Sequence, residues 1–149
     1  MMAIVRSLAI WLMVGCWVVA AMPKGYWGYK DGVDLAKDQV VHYTIDSAKN
    51  EAGYRFDFFF RWTLWKERGL VMHFSFDGFR RQTILYPEYK RDTFRYFYRD
   101  RHGSSDEKPM IMIRLLALND QNKTATFEVL VRDPKRTIVV ERNMSAKGW

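Results

Sequence analysis

From Gln39 onward, apolar and polar side chains alternate with a period of two along most of the chain. Tyr54, Phe56, Phe58, Phe60, Trp62 and Leu64 take every second position, opposed by Arg55, Asp57, Arg61 and Thr63. Successive side chains of a strand point to opposite faces, so this run predicts a long strand with one buried and one mostly wet face. A charged turn, Lys66-Glu67-Arg68-Gly69, follows, and Leu70, Met72, Phe74 and Phe76 resume the alternation against His73, Ser75 and Asp77. The two runs predict a hairpin. Asp77-Gly78 is the next turn signal.

Further on, a shorter strand around Gln82 to Tyr86 stops at Pro87, and Phe94, Tyr96 and Tyr98 alternate with Arg95 and Arg99 in another. A polar loop from His102 to Asp106 ends at Pro109. Met110 to Leu118 is apolar on both faces apart from Arg114, as a central strand is. Asn119-Asp120-Gln121-Asn122 turns the chain into its partner, marked by Ala125, Phe127, Val129 and Val131 and broken at Asp133-Pro134. Thr137 to Glu141 reads as a last strand.

No stretch after Ser47 has helical spacing, and only Val33 to Val40 suits a short helical turn. About eight short strands joined by turns predict an all-β domain over residues 39–149, an antiparallel β-sandwich or flattened barrel. Residues 23–38 read as a linker, because Gly25, Gly28 and Gly32 interrupt regular structure. Its Tyr26, Trp27 and Tyr29 suit either a membrane–water interface or an edge of the domain.

The first 22 residues follow a different pattern: Arg6 precedes an uncharged run, Ser7 to Met22, before Lys24. Its apolar residues fall on every side of a helix, which suits a signal peptide or membrane anchor better than a buried surface helix. Three fates are consistent with it. Cleavage after Ala21 would use Val19 and Ala21 as small flanking residues. Lipidation at Cys16 would use Met13-Val14-Gly15-Cys16 as a lipobox, although Leu is usual at the first position and a polar tether after the last. Retention as an anchor needs roughly 20 residues, which Ala3, Ile4 and Val5 would supply. All three place the domain outside the cytoplasm, in the cell envelope or periplasm if the cell is bacterial.

Composition sharpens this picture in three ways. Aromatic residues make up 16% of the chain, more than a minimal core requires, and they favour strands and interfaces. The formal charge of +7 favours anionic partners, of which nucleic acid is the least compatible with export. Cys16 is the single cysteine, so residues 39–149 have neither a disulfide nor a thiolate for catalysis or metal binding.

Chemistry-bearing motifs are sparse. His42, His73 and His102 lack the spacing of metal ligands. His102, Ser104 and Asp106 carry the letters of a hydrolase triad, but beside Gly103 they read as turn formers. Asp57, Asp77, Glu88 and Asp92 each lie near Arg or Lys, which lowers a carboxyl pKa and disfavours a general acid. No phosphate loop is present, and no cofactor is expected. Asn122-Lys123-Thr124 and Asn143-Met144-Ser145 match the N-glycosylation sequon.

The most distinctive stretch is Phe79 to Arg101, with Arg80, Arg81, Lys90, Arg91, Arg95, Arg99 and Arg101 interleaved with Tyr86, Tyr89, Tyr96 and Tyr98. Charged side chains on an edge strand also serve to block aggregation. Tyr, Trp and Arg usually carry interface energy, which points to a non-enzymatic interaction module, an accessory subunit of a larger membrane or envelope assembly. Its expected contact residues are Arg95, Arg99, Tyr96 and Trp65. An alternative is a binding protein for a lipid or anionic glycan, with Phe58-Phe59-Phe60 lining a cavity.

Overall fold

The computed structural model describes residues 27–46, 55–97, 110–134 and 138–143. These residues form nine strands: β1 (Trp27–Ala36), β2 (Val41–Asp46), β3 (Arg55–Lys66), β4 (Gly69–Phe76), β5 (Phe79–Leu85), β6 (Thr93–Phe97), β7 (Met110–Asn119), β8 (Thr124–Arg132) and β9 (Val139–Asn143). They build a β-sandwich of a four-stranded sheet, ordered β1-β8-β7-β6, and a five-stranded sheet, ordered β5-β4-β3-β2-β9. Every strand pairing is antiparallel.

The period-two pattern of the sequence explains the core. Phe56, Phe58, Phe60 and Trp62 of β3 are buried, as are Leu70, Met72 and Phe74 of β4. From the opposite sheet, Ile111, Ile113 and Leu115 of β7 and Phe127, Val129 and Val131 of β8 close the gap. Rings meet across the gap edge to face, with Phe60 and Phe127 at 5.5 Å between centroids. At the β5–β6 flank Phe94 lies 4.2 Å from Phe74 and Tyr96 lies 4.6 Å from Phe76. The indole N–H of Trp62 donates to the Leu35 carbonyl 2.9 Å away, a buried bond from one sheet to the other.

Two features of the pattern are broken by irregular pairing. Leu64, expected on the buried face, is 47% exposed. Trp62 pairs with Met72 but Leu64 pairs with Val71, so β3 gains one residue against β4. A bulge of that kind flips the following side chains to the other face, and Trp65 turns inward against the core instead. The same shift occurs between Leu115 and Ala117 of β7, and it leaves Leu116 at the surface.

The domain boundary also differs from expectation. Trp27–Ala36, read as linker with a helical turn at its end, is a full edge strand along β8. Val33 and Leu35 reach the core, while Asp31 turns inward at the edge. There it accepts hydrogen bonds from the Tyr43 hydroxyl at 2.9 Å and from Arg142 Nη1 at 3.0 Å. Arg142 also donates to the Gly32 carbonyl at 3.3 Å, so this flank is stapled between the sheets. β5 likewise begins earlier than expected, at Phe79. Asp77 and Gly78 both have positive φ, 47° and 82°, and so form a two-residue turn that returns the chain at once. The last strand runs Val139–Asn143, two residues later than the pattern suggests.

Replacing Trp62 with Phe keeps a ring but removes the indole N–H. An orphaned buried carbonyl and a partial cavity together cost about 2–4 kcal/mol. Chemical denaturation of W62F should show that loss with an unchanged m-value. A loss below about 1 kcal/mol would mean that the cross-sheet bond contributes little beyond the ring.

Candidate functional site

The outer face of the five-stranded sheet carries one polar cluster. His42 of β2 stacks on Phe59 of β3, with ring centroids 4.1 Å apart. Asn143 of β9 donates from Nδ2 to His42 Nδ1 at 3.2 Å and to Thr44 Oγ1 at 2.8 Å. His42 Nε2 donates in turn to Asp57 Oδ1 at 2.7 Å, and the Thr44 hydroxyl donates to the same oxygen at 3.3 Å. With Nδ1 accepting and Nε2 donating, the imidazole has no free nitrogen for a substrate or metal. The ring of bonds instead fastens the edge strand β9 to β2 and β3. Asn143, the first residue of a sequon, is part of it.

His73 lies on β4 opposite Arg61 of β3, so β3 separates it from His42. Among the described residues no three His, Cys, Asp or Glu side chains come together as metal ligands do. His102, Ser104 and Asp106 lie outside the described residues, as do Arg99 and Cys16. Three of the four carboxylates of interest, Asp57, Glu88 and Asp92, are engaged within the fold. Glu88 pairs with Arg68 at 2.9 Å, and Asp92 accepts from the Thr93 hydroxyl at 3.0 Å.

The outer face of the four-stranded sheet holds a buried ionic centre. Glu128 of β8 pairs with Lys30 of β1 at 2.8 Å and with Arg114 of β7. Beside it Met112 and Leu130 form a buried cross-strand pair, and Met110 extends the apolar group. The two-sided apolar pattern of β7 thus reflects two separate surfaces, one facing the core and one facing away from it. Burial alone would raise the Glu128 carboxyl, but hydrogen bonds and charge from Lys30 and Arg114 outweigh it and hold the group below its ordinary value of 4.5. On the stapled flank the opposite applies: burial, then the neighbouring Asp31 charge, keeps the Tyr43 hydroxyl protonated far into the alkaline range.

The remaining flank, where β5 and β6 are the outer strands of their sheets, is built differently. Phe79 is 71% exposed, and Arg80, Arg81 and Gln82 after it are exposed as well. Arg81 lies over the Tyr96 ring, 5.9 Å from its centroid. Arg95 stands exposed on the outer face of β6. Tyr96 points the other way, packed on Phe74 and Phe76. Trp65 is half-buried against the core and pairs with Leu70, at the end of β4 opposite Phe76. Of the expected contact residues, then, Arg95 stands on this surface, Tyr96 supports it from within, and Trp65 sits at the other end of the sandwich. Phe79 and Arg81 lie in the stretch the sequence singles out but not among the expected contact residues; the Asp77-Gly78 turn directly before Phe79 is the signal that starts their strand there.

No family model matches the chain, and no curated protein or solved structure matches it either. Among the described residues no helix is long and apolar enough to cross a membrane.

The Glu128 centre gives a pH-dependent expectation. A carboxyl lowered on folding stabilises the protein above its unfolded pKa, and that contribution is lost as pH falls through the folded value. Glu128→Gln leaves Arg114 largely buried beside a neutral amide, which at neutral pH costs about 3 kcal/mol. Denaturation of both proteins across pH should show that gap beginning to narrow as pH falls below 4.5, the unfolded carboxyl's value, and closing through the lower folded value, where wild type loses its own charge. A gap independent of pH would remove the carboxylate charge from the explanation.

Proposed function

We propose that this chain is a non-enzymatic interaction module, held at a membrane or exported by its apolar N-terminal segment, that docks on an acidic face of a larger membrane or envelope assembly. The observation that carries this reading is the β5–β6 flank. An edge strand there leaves four successive residues, Phe79 to Gln82, exposed, Arg81 among them, and Arg95 is exposed on β6. An unpaired strand edge offers backbone groups to a partner strand. Exposed Arg side chains then select an acidic partner and speed the encounter. A tether would raise the effective concentration of the domain beside membrane partners, so a modest contact surface suffices.

Other features agree with a binding role rather than chemistry. The His42 ring has both nitrogens engaged, and Asp57, Glu88 and Asp92 have partners within the fold. Phe58 and Phe60, the candidate lining of a lipid cavity, pack against other core rings, and Phe59 lies on the outer face against His42.

The test is purification of the full-length tagged chain from its own membranes in mild detergent, beside a variant with Arg81→Glu and Arg95→Glu. A stoichiometric partner should accompany wild type and fall at least about tenfold with the double reversal, a loss of about 1.4 kcal/mol or more. Lys37→Glu, on the exposed β1–β2 corner, should leave it in place. Thermal melts of each variant establish that the fold persists. A partner retained by the double reversal would overturn the reading, and so would a chain that purifies alone.

A further inference from the structure

The connection from β5 to β6 does more than cross from one sheet to the other. Pro87–Tyr89 forms a single 3-10 turn, Lys90 takes a left-handed φ of 57°, and the chain closes on itself between Tyr86 and Arg91. Tyr86 N–H donates to the Arg91 carbonyl at 2.7 Å, and Arg91 N–H returns the bond at 3.0 Å. Within the turn, Tyr89 N–H donates to the Tyr86 carbonyl and Lys90 N–H to that of Pro87, at 3.1 and 3.0 Å. Proline at the first position of the turn fixes its φ in advance. This six-residue loop is therefore rigid for its size.

Its tyrosines and its glutamate make contacts of their own. The Tyr86 ring packs directly over Gly69, where a Cβ would lie only 2.8 Å from Tyr86 Cε1 and 2.9 Å from Ile84 Cγ2. Tyr89 meets Tyr86 edge to face at 6.3 Å. The Arg68–Glu88 ion pair ties the loop to the β3–β4 turn and engages the carboxylate of the loop itself. Beside the loop lies an open hollow of about 560 Å³, whose described lining is Tyr86, Tyr89 and Arg91. Its size is that of a small-molecule site.

The chemistry of the lining defines what would fill it. A guanidinium presents a fixed fork of N–H donors and no acceptor, and it matches one carboxylate through two parallel bonds. Tyrosine faces carry negative charge density and pack against the C–H bonds of a saturated ring, while their hydroxyls bond to ring substituents. A phosphate dianion is less well served, because among the described residues a single cation and no helix N-terminus or glycine-rich loop lines the hollow. We infer that the Tyr86–Tyr89–Arg91 hollow binds an acidic sugar of the uronate type, with the carboxylate on Arg91 and the pyranose ring against the two tyrosines. The site adjoins the docking flank, on the loop that joins β5 to β6, but uses none of the contact residues Phe79, Arg81 and Arg95 assigned there.

Ligand-observed NMR on the full-length chain in detergent micelles tests the site, with glucuronate, glucose and inorganic phosphate as probes. Glucuronate should bind at millimolar concentration, and glucose about tenfold more weakly for want of the carboxylate contact. Arg91→Gln should weaken glucuronate about tenfold and bring it level with glucose. Tyr89→Ala should weaken both sugars alike. Lys37→Gln should change neither. Tyr89 and Arg91 are exposed, so these variants keep the fold, which circular dichroism and melting confirm. Glucuronate binding that survives R91Q would overturn the inference, as would no binding of glucuronate by wild type. Phosphate binding as tight as glucuronate, and lost together with it in R91Q, would replace it with a bare anion site.

Discussion

Strand β3 is the middle strand of the five-stranded sheet, and the rest of the structure depends on how its inward residues meet the opposite sheet. Phe58, Phe60 and Trp62 are essentially without solvent contact. With no cysteine beyond Cys16, no disulfide joins the two sheets. What joins them is ring packing, which has no directional preference of its own, and a small number of bonds that do. The Trp62–Leu35 bond is the directional one at the centre. It joins β3 to β1 and so fixes the position of a strand that otherwise pairs only with β8. A hydrophobic interface settles that the sheets stack. A buried indole N–H with a single acceptor settles where, since misplacing it leaves both groups desolvated and unpaired.

A sandwich also has to deal with its open edges, and this one treats its two flanks differently. Between β1 and β9, Asp31 receives Tyr43 and Arg142, and Arg142 reaches the Gly32 carbonyl as well. Charge and hydrogen-bonding capacity there are spent within the fold. Between β5 and β6 the sheets are joined by the Tyr86–Arg91 loop and by aromatic contacts, and the cations face outward. Arginine on an exposed edge discourages indiscriminate strand pairing. The same arginines leave the edge usable by a partner that supplies the opposite charge, so protection from aggregation and selection of a partner follow from one arrangement.

The parts of this architecture legible in the sequence are those governed by local alternation. β3, β4, β7 and β8 follow from period-two runs, and the turns at Lys66–Gly69, Asp77-Gly78 and Asn119–Asn122 follow from their residues. β1 was hidden because Gly28, Gly32 and Asp31 interrupt its apolar alternation. Asp31 faces inward only because Tyr43 and Arg142, 12 and 111 residues away, meet it there. The bulges at Leu64 and Leu116 were hidden for a related reason, since pairing between strands creates them and neither strand alone carries a sign of it. Arg95 was legible as a surface cation on a strand. Tyr96 was not separable from it, because a tyrosine of that periodicity reads the same whether its ring covers a core or a partner. The Tyr86–Tyr89–Arg91 hollow joins a strand end, a turn and a bridge residue, and its residues acquire a common purpose only when the loop has closed.

The formal charge of +7 understates how the basic character is arranged. Several cations elsewhere in the described fold are matched to carboxylates: Lys30 and Arg114 to Glu128, Arg68 to Glu88, Arg142 to Asp31. The stretch from Arg81 to Arg95 is organised otherwise. Its acidic residues, Glu88 and Asp92, are occupied by Arg68 and Thr93, and Arg81 spends its contact on an aromatic face that leaves the charge intact. Lys90, Arg91 and Arg95 are exposed on the loop and strand that follow. Among the described residues, the exposed cations Arg81, Lys90, Arg91 and Arg95 take no part in those pairs. The field of these cations acts on partners at a distance set by screening. The loop joining β5 to β6 presents Arg91 from a backbone closed by its own hydrogen bonds, so that backbone loses little freedom when a ligand arrives.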